Sequence, residues 1–442
     1  MEKRVKYSQY SESEPAKLVL IHEPSYEIFM SMLHPAGSLY KNVTSESLVS
    51  KDFENLRNIL NERGIRVISV REALIMDRPG LIELAKNSLQ YDFDDKDEEG
   101  KKDPLFNFYL SDEYKDQILN KMSDDQLVDC VLTKPYFTLK KSKKNTFVET
   151  SKISFMPLGN LIYVRDPQIA TQRGIVIGNS ECTLRRTEKI VINKVLNNIN
   201  AHVIGNMPDK CYLEGGDFYT LRSDLAMLGI GIRSNFEAAK YLMENDLIGC
   251  DRLALCIDTD DLDQERMHLD TFFNVLGDKA VILLDFDDLS RIKGKTINRK
   301  IKIFSKKEEE ILSKGSIDNN YYGDYSLVQE FDTIYKFLDK YGFTYIKCTV
   351  AQQEEYIFNF LNIGDDKIIA INRELKDLIK KNNINLEVIE LEFEAVKNLY
   401  GGVRCATQVY RNILTASPQR KQTSRSRKEK ELDNGRNNLE LK

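Results

Sequence analysis

Histidine is scarce in this chain, with four in 442 residues, at positions 22, 34, 202 and 268. The seven cysteines form no C-x-x-C pair. Dispersed imidazoles and unpaired cysteines offer no ligand spacing of the kind a tetrahedral zinc site shows, so no metal is predicted. An odd, scattered cysteine set also argues against a disulfide framework and fits a reduced, cytoplasmic protein. No run approaches the roughly eighteen apolar residues that a membrane helix needs, so no membrane association is expected. The opening "MEKRVKYSQYSESEPAKLVLIHEP" has a basic start but no apolar core before "SESEP", which reads as a cytoplasmic chain. Net positive charge is missing as well. With 64 Lys and Arg against 69 Asp and Glu the balance is -5, which argues against a chain built to neutralise phosphates, and no nucleic acid partner is expected.

What is present is an ordinary apolar fraction, 41%, in a chain long enough for two or three domains or for one α/β unit with an insertion. "KLVLIHEP" ends at a proline and reads as a buried first strand. "SKDFENLRNILNERGIRVISV" then spaces its apolar residues as a helix does, stops at Gly64 and continues as a strand. Residues 1–72 are therefore read as the first part of an α/β core. Residues 73–150 are rich in Lys and Asp, with helix-like "PGLIELAKNSL" and "SDEYKDQILNKM" around the charged run "DFDDKDEEGKKD". They are predicted to form a helical insertion with a mobile loop near 92–103. From 153 onward strand signals return in "NLIYV", "GIVIGN", "AHVIG", "LAMLGIGI", "LALCID", "AVILLD" and "KIIAIN". Helical stretches at 186–199, 235–245 and 373–382 lie between some of them, so residues 151–417 read as the remainder of the α/β core. The last 25 residues, 418–442, hold eight basic and four acidic side chains and almost no large apolar ones. They are predicted to be a disordered basic tail.

Four segments place a reactive or charged side chain at the end of a short apolar run: "NLIYVRDP" (160–167), "YLEGGDFYTL" (212–221), "RMHLDTFF" (266–273) and "LYGGVRCATQ" (399–408). Strand ends and the loops after them are where an α/β scaffold presents functional groups. In "RMHLDTFF" the period of two puts His268 and Asp270 on one face of a strand, with Met267 and Leu269 on the other. Each residue alone has a plainer explanation. Asp166 before Pro167 suits a turn or cap, Glu214 before two glycines suits a tight turn, and Asp217 suits backbone amides. Cys405 alone suits a small buried hydrophobe, and His268 alone a hydrogen-bonded core histidine. Taken together, a lone cysteine, a remote histidine and a carboxylate to orient it follow the logic of thiolate catalysis. The further carboxylates Asp166 and Asp270 call for a cationic substrate, and a guanidinium offers five N–H donors that two carboxylates can clamp from different edges.

These segments resemble those of the arginine deiminase family, within the guanidino-group-modifying enzymes. "NLIYVRDP" is similar to the family's N-L-x-F-x-R-D-P, "LEGGD" to its E-G-G-D, "MHLDT" to its M-H-L-D-T and "GGVRC" to its C-terminal G-G-x-R-C, in the same order and from about residue 15 to 412. The resemblance implies a fivefold pseudo-symmetric α/β propeller with an inserted helical domain, and hydrolysis of L-arginine to L-citrulline and ammonia without metal or cofactor. By the same resemblance Cys405 is the nucleophile, His268 the general acid and base, Glu214 its orienting partner, and Asp166 and Asp270 the guanidinium clamp. Asn160, Arg185 and Arg233 fall where the substrate α-carboxylate is recognised, with Arg186 one place away from Arg185. Tyr163 falls where an aromatic covers the guanidinium. A homo-oligomer is implied as well.

The chain departs from that pattern twice. Tyr400 stands where many members have arginine, and "GSLYKNVTSE" lacks the family's paired aspartates after the first strand, so a gating residue and part of the entrance differ. Alternative readings are another guanidino hydrolase, an amidinotransferase, or a guanidino-binding protein without turnover.

Overall fold

The computed structural model describes residues 7–94, 97, 100–142, 144, 147–306 and 321–413. Its architecture is mixed α/β. Among the described residues, five units repeat one pairing pattern. A first strand runs antiparallel to a second, and the second runs parallel to a third. One unit pairs Gln408–Tyr410 with Leu18–Ile21 and then Arg66–Ser69, so the C-terminal strand closes onto the N-terminal one. The others are Gln168–Ala170, Ile175–Ile177 and Val203–Asn206; Phe218–Arg222, Leu225–Ile230 and Arg252–Ile257; Phe273–Gly277, Ala280–Leu284 and Thr344–Cys348; and Leu361–Gly364, Lys367–Ala370 and Glu387–Glu390. Parallel neighbours need a crossover, and helices supply it. Glu46–Glu62 is one, burying Val49, Phe53, Leu56 and Leu60 along a single stripe. It ends before Gly64, whose φ of +71° suits glycine.

Most of the apolar runs that signalled strands are the middle strands of these units, and LVLI, IVI, LAMLGI, AVILL and KIIA are largely buried, whereas "AHVIG" and "LALCID" supply third strands. The third unit is widened to six strands by Lys300–Ser305, Tyr325–Phe331 and Tyr321–Tyr322. No helix among the described residues is long and apolar enough to cross a membrane.

The stretch 73–150 is not purely helical. It contains the helices Arg78–Ser88, Pro104–Leu110, Asp112–Leu119 and Asp124–Thr133, which start at side-chain caps Asp77, Asp103, Ser111 and Ser123. It also contains a sheet of Gln90–Phe93, Pro135–Lys141 and Val148–Phe155, the last running past residue 150. The many lysines obscured a hairpin whose aromatic and β-branched residues, such as Tyr136, Phe137 and Thr138, favour a pleated surface. Part of the predicted 92–103 loop (95, 96, 98 and 99) and the whole 418–442 tail lie outside the described residues.

Candidate active site

Because each first strand is antiparallel to its neighbour, the turn leading into it sits beside the carboxyl end of the middle strand. In all five units the first residue of the leading strand opposes a residue at or within two places of the end of the middle strand: Gln168 opposes Ile177, Phe218 opposes Leu228, Phe273 opposes Leu283, Leu361 opposes Ile369 and Gln408 opposes Leu20. These leading turns carry Asp166, Glu214, His268 with Asp270, Asn359 and Cys405. Asp166, His268, Asp270, Asn359 and Cys405 line one cavity of about 370 Å³, with Glu214 behind His268. The reactive groups thus precede their strands, where the sequence suggested that they follow them.

Two segments read as strands are tight turns. "NLIYV" falls largely in the 3-10 helix Gly159–Ile162. His268 has extended backbone and is followed by the 3-10 turn Leu269–Thr271, with the strand starting only at Phe273. The cause is Asp217, whose Oδ1 accepts the Leu269 N–H at 3.1 Å while its Oδ2 takes the Ser234 hydroxyl at 2.7 Å. Leu269 enters the core as expected, but Met267 lines the cavity with His268 and Asp270. A turn, and not a strand face, brings His268 and Asp270 to the same chamber. Asp217 is a backbone anchor, as its plainer reading held.

His268 Nε2 lies 2.8 Å from Glu214 Oε2, and Nδ1 lies 3.8 Å from Asp166 Oδ1. Glu214 also accepts from the Ser180 hydroxyl and has Arg233 at 3.9 Å. Burial alone would lower the imidazole pKa, yet Asp166, the Glu214 hydrogen bond and Asp217 together raise it to about 10. Burial works the other way on Glu214, but the His268 hydrogen bond and charge, with Arg185 and Arg233, hold it well below the usual carboxylate range. Asp166, Glu214 and His268 bring ligand atoms within 4.8 Å of one another, a cluster from three units that no local spacing reveals. A charged imidazolium, however, has no lone pair to give a metal ion.

Asp166 accepts the Gly216 N–H at 3.2 Å and Arg185 Nη1 at 2.6 Å. Arg185 is buried and holds Glu188 as well, at 2.9 Å, whereas Arg186 is exposed and leans on the Tyr212 ring. Arg185 is therefore the cavity residue of the pair. Asp270 is completely buried. Its Oδ2 lies 3.7 Å from both Arg404 Nε and Cys405 Sγ, and its Oδ1 has no hydrogen-bond partner among the described residues. Burial pushes the Cys405 thiol up, and Asp270 and Asp166 add to that. Asn160, Tyr163, Arg185 and Arg233 line the same cavity. Tyr163 donates its hydroxyl to Leu399 O in the cysteine loop, and Asn160 donates to Ser38 O at 2.9 Å.

A family model described as arginine deiminase matches residues 38–411, most of the chain. The chain belongs to the arginine deiminase family. Family membership makes it an enzyme, of the kind that hydrolyses a C–N bond of a guanidino group. Arginine deiminase of Oenococcus oeni is 25% identical over 276 residues, covering 60% of this chain and 66% of the relative, just under two thirds of its length. That of Staphylococcus aureus is 25% identical over 315 residues, covering 64% and 73%. Among solved structures, an amidinotransferase of the saxitoxin biosynthetic pathway from Microseira wollei shares the fold with a TM-score of 0.50 at 12% identity, over 93% of this chain and 98% of its own.

Several cavity residues have no place in the sequence reading: Lys41, Glu265, Tyr356 and Asn359. Only Asn359 had a usable signal, since in "FNFLNIG" it stands two residues ahead of a strand just as Asp166 does. Gly216 is required for a different reason. A Cβ there would lie 2.6 Å from His268 Nδ1 and 3.1 Å from Asp270 Oδ1, so any side chain must push the imidazole aside. Gly216→Ala is expected to reduce kcat about 100-fold by misplacing that ring, with little change in unfolding temperature; steady-state rates and a melting curve measured together check it.

Proposed function

We propose that the protein is an arginine deiminase, converting L-arginine to L-citrulline and ammonia through a Cys405 S-alkylthiouronium intermediate. The observation that carries this reading is the buried Oδ1 of Asp270, without a hydrogen-bond partner among the described residues, in one cavity with Asp166 and with the other carboxylate oxygen 3.7 Å from the cysteine. Burial and then the neighbouring Asp166 push the Asp270 carboxyl up, against the pull of His268 and Arg404. A planar cation with several N–H donors meets that need, and guanidinium is such a cation.

The cation also prepares the nucleophile. Without a cation between them two carboxylates disfavour a thiolate at Cys405, and a guanidinium there cancels their field, so the thiol gives its proton to solvent water as the substrate arrives. The thiolate then forms a C–S bond to the guanidino carbon. Electrons return to a nitrogen that the His268 imidazolium protonates, the C–N bond breaks and ammonia departs. The now neutral His268 takes a proton from water, the resulting hydroxide attacks the same carbon, and as the C–S bond breaks the new hydroxyl gives its proton to solvent water, leaving the ureido product and the thiolate. Glu214 orients His268 throughout and stabilises its charged form. Tyr163 covers the guanidinium, and Asn160, Arg185 and Arg233 receive the α-carboxylate.

Two features favour a second reading, a guanidino substrate without an α-carboxylate. Arg185 is already engaged by Glu188 and Asp166, and Tyr400 replaces a cation at the cavity wall, beside Glu265. A product assay with arginine, agmatine, a methylated arginine and a peptidyl arginine separates the readings. Equal amounts of citrulline and ammonia from arginine are expected. Arginine consumed without ammonia would mean amidino transfer, and thermal stabilisation by arginine with no product over hours would mean a binding protein.

We further infer that the five repeated units are the blades of a fivefold pseudo-symmetric α/β propeller around the cavity, with residues 73–150 as an insertion into it. The shared pairing pattern of the five units, each with its leading turn beside the carboxyl end of its middle strand, supports this. Seven free cysteines support a cytoplasmic setting, and family resemblance supports a homo-oligomer, which light scattering after size exclusion tests.

A further inference from the structure

Four of the five leading turns deliver an ionisable group to the site. The fifth delivers a neutral amide, Asn359, buried and two residues ahead of the strand Leu361–Gly364. Its Oδ1 accepts the Arg404 N–H at 2.9 Å, and its Nδ2 lies 2.9 Å from Cys405 Sγ. The backbone donor at Arg404 fixes which end of the amide is which, because the flipped group would set an NH2 against an N–H. A donor therefore points at the sulfur. The turn itself is clamped. Asn274 Nδ2 donates to Phe358 O at 2.7 Å and Phe360 O at 2.9 Å, the carbonyls on either side of Asn359, and Asn359 N reaches Tyr356 O at 3.0 Å.

We propose that Asn359 is itself a catalytic residue, whose side-chain amide stabilises the Cys405 thiolate when the thiol ionises and again when the C–S bond breaks. Among the described residues it is the only side-chain donor aimed at this sulfur. Its neutrality has a physical reason. A lysine or arginine there would stabilise a thiolate more strongly, but it would also neutralise Asp270 and Asp166 and so occupy the place of a cationic substrate. A preorganised amide assists the sulfur without competing for the carboxylates. The assignment rests on Cys405 being the nucleophile of the proposed reaction.

The test reads the sulfur directly. Alkylation of Cys405 by iodoacetamide, followed by mass spectrometry of the peptide that contains it, gives a rate at about pH 8 and a pH midpoint for wild type, Asn359→Asp and Asn359→Leu. Asp keeps an oxygen for the Arg404 N–H, so its fold is preserved while the donor is lost; Leu removes both. A hydrogen bond to a charged group is worth enough that alkylation should slow by about tenfold or more in both, more in Asp, with the midpoint moved up. The kcat for arginine should fall by a similar factor with KM little changed. Variants that melt like wild type and keep its midpoint would overturn the proposal. Shifted midpoints in an enzyme that yields no product from arginine would leave the Asn359 assignment standing and remove the deiminase reading; normal wild-type turnover with unshifted midpoints would do the reverse.

Discussion

Cys405→Ser is expected to stop product formation, lowering turnover by about four orders of magnitude, while the folded protein still binds arginine. A serine hydroxyl ionises far less readily than a thiol, and the site holds two carboxylates that oppose any anion at residue 405, so nothing replaces the thiolate. The binding groups do not depend on sulfur. Asp166, Asp270 and Arg233 stay in place, and arginine at 100 times its Kd should stabilise the variant by about 2.7 kcal/mol. A product assay beside a thermal shift measurement separates the two effects. A serine variant retaining more than about a hundredth of wild-type kcat would move the nucleophile elsewhere.

Glu214→Gln is expected to lower kcat by about 10²–10⁴-fold at pH 8 and to draw the basic limb of the pH–rate profile downward. His268 acts first as an acid, so it must be charged, and its pKa of about 10 keeps it so across the neutral range. Glutamine keeps the shape but loses the charge and offers a donor or a weaker acceptor, so the imidazole returns toward its ordinary value near 6.5. Stability follows the same linkage. The raised His268 pKa contributes stability that is full below about 6.5 and is lost as pH rises through about 10, while the depressed Glu214 pKa contributes stability present above its ordinary range and lost as pH falls through its lowered value. Unfolding temperatures of wild type and variant should therefore differ most where both contributions are full, between about pH 5 and about pH 6.5, and converge as the pH rises toward about 10. An unchanged basic limb in Glu214→Gln would mean that His268 is not the group being titrated.

Local pattern was enough for some of this. Buried middle strands such as Ala280–Leu284 and helices such as Glu46–Glu62 carry their period in the residues themselves, and Asp166, Glu214, His268, Asp270 and Cys405 stood out because charged or reactive groups adjoined apolar runs. Other features were hidden because nothing near them in the chain decides them. The turn at His268 is imposed by Asp217, some fifty residues earlier. The hairpin Pro135–Phe155 was masked by its lysines, whose aliphatic stems tolerate a strand as well as a helix. Asn359 is one amide among many until Arg404 and Cys405 fold against it.

The sequence by itself determined which side chains are available for chemistry, and that a cysteine, a histidine and several carboxylates adjoin buried strands. Only the tertiary structure decided which of them meet, since that depends on five separate antiparallel pairs directing their leading turns to one chamber. It also decided their charge: carboxylates supplied by other units hold His268 as an imidazolium against the effect of burial, and burial together with such carboxylates raises the thiol at Cys405, quantities that no stretch of chain contains alone.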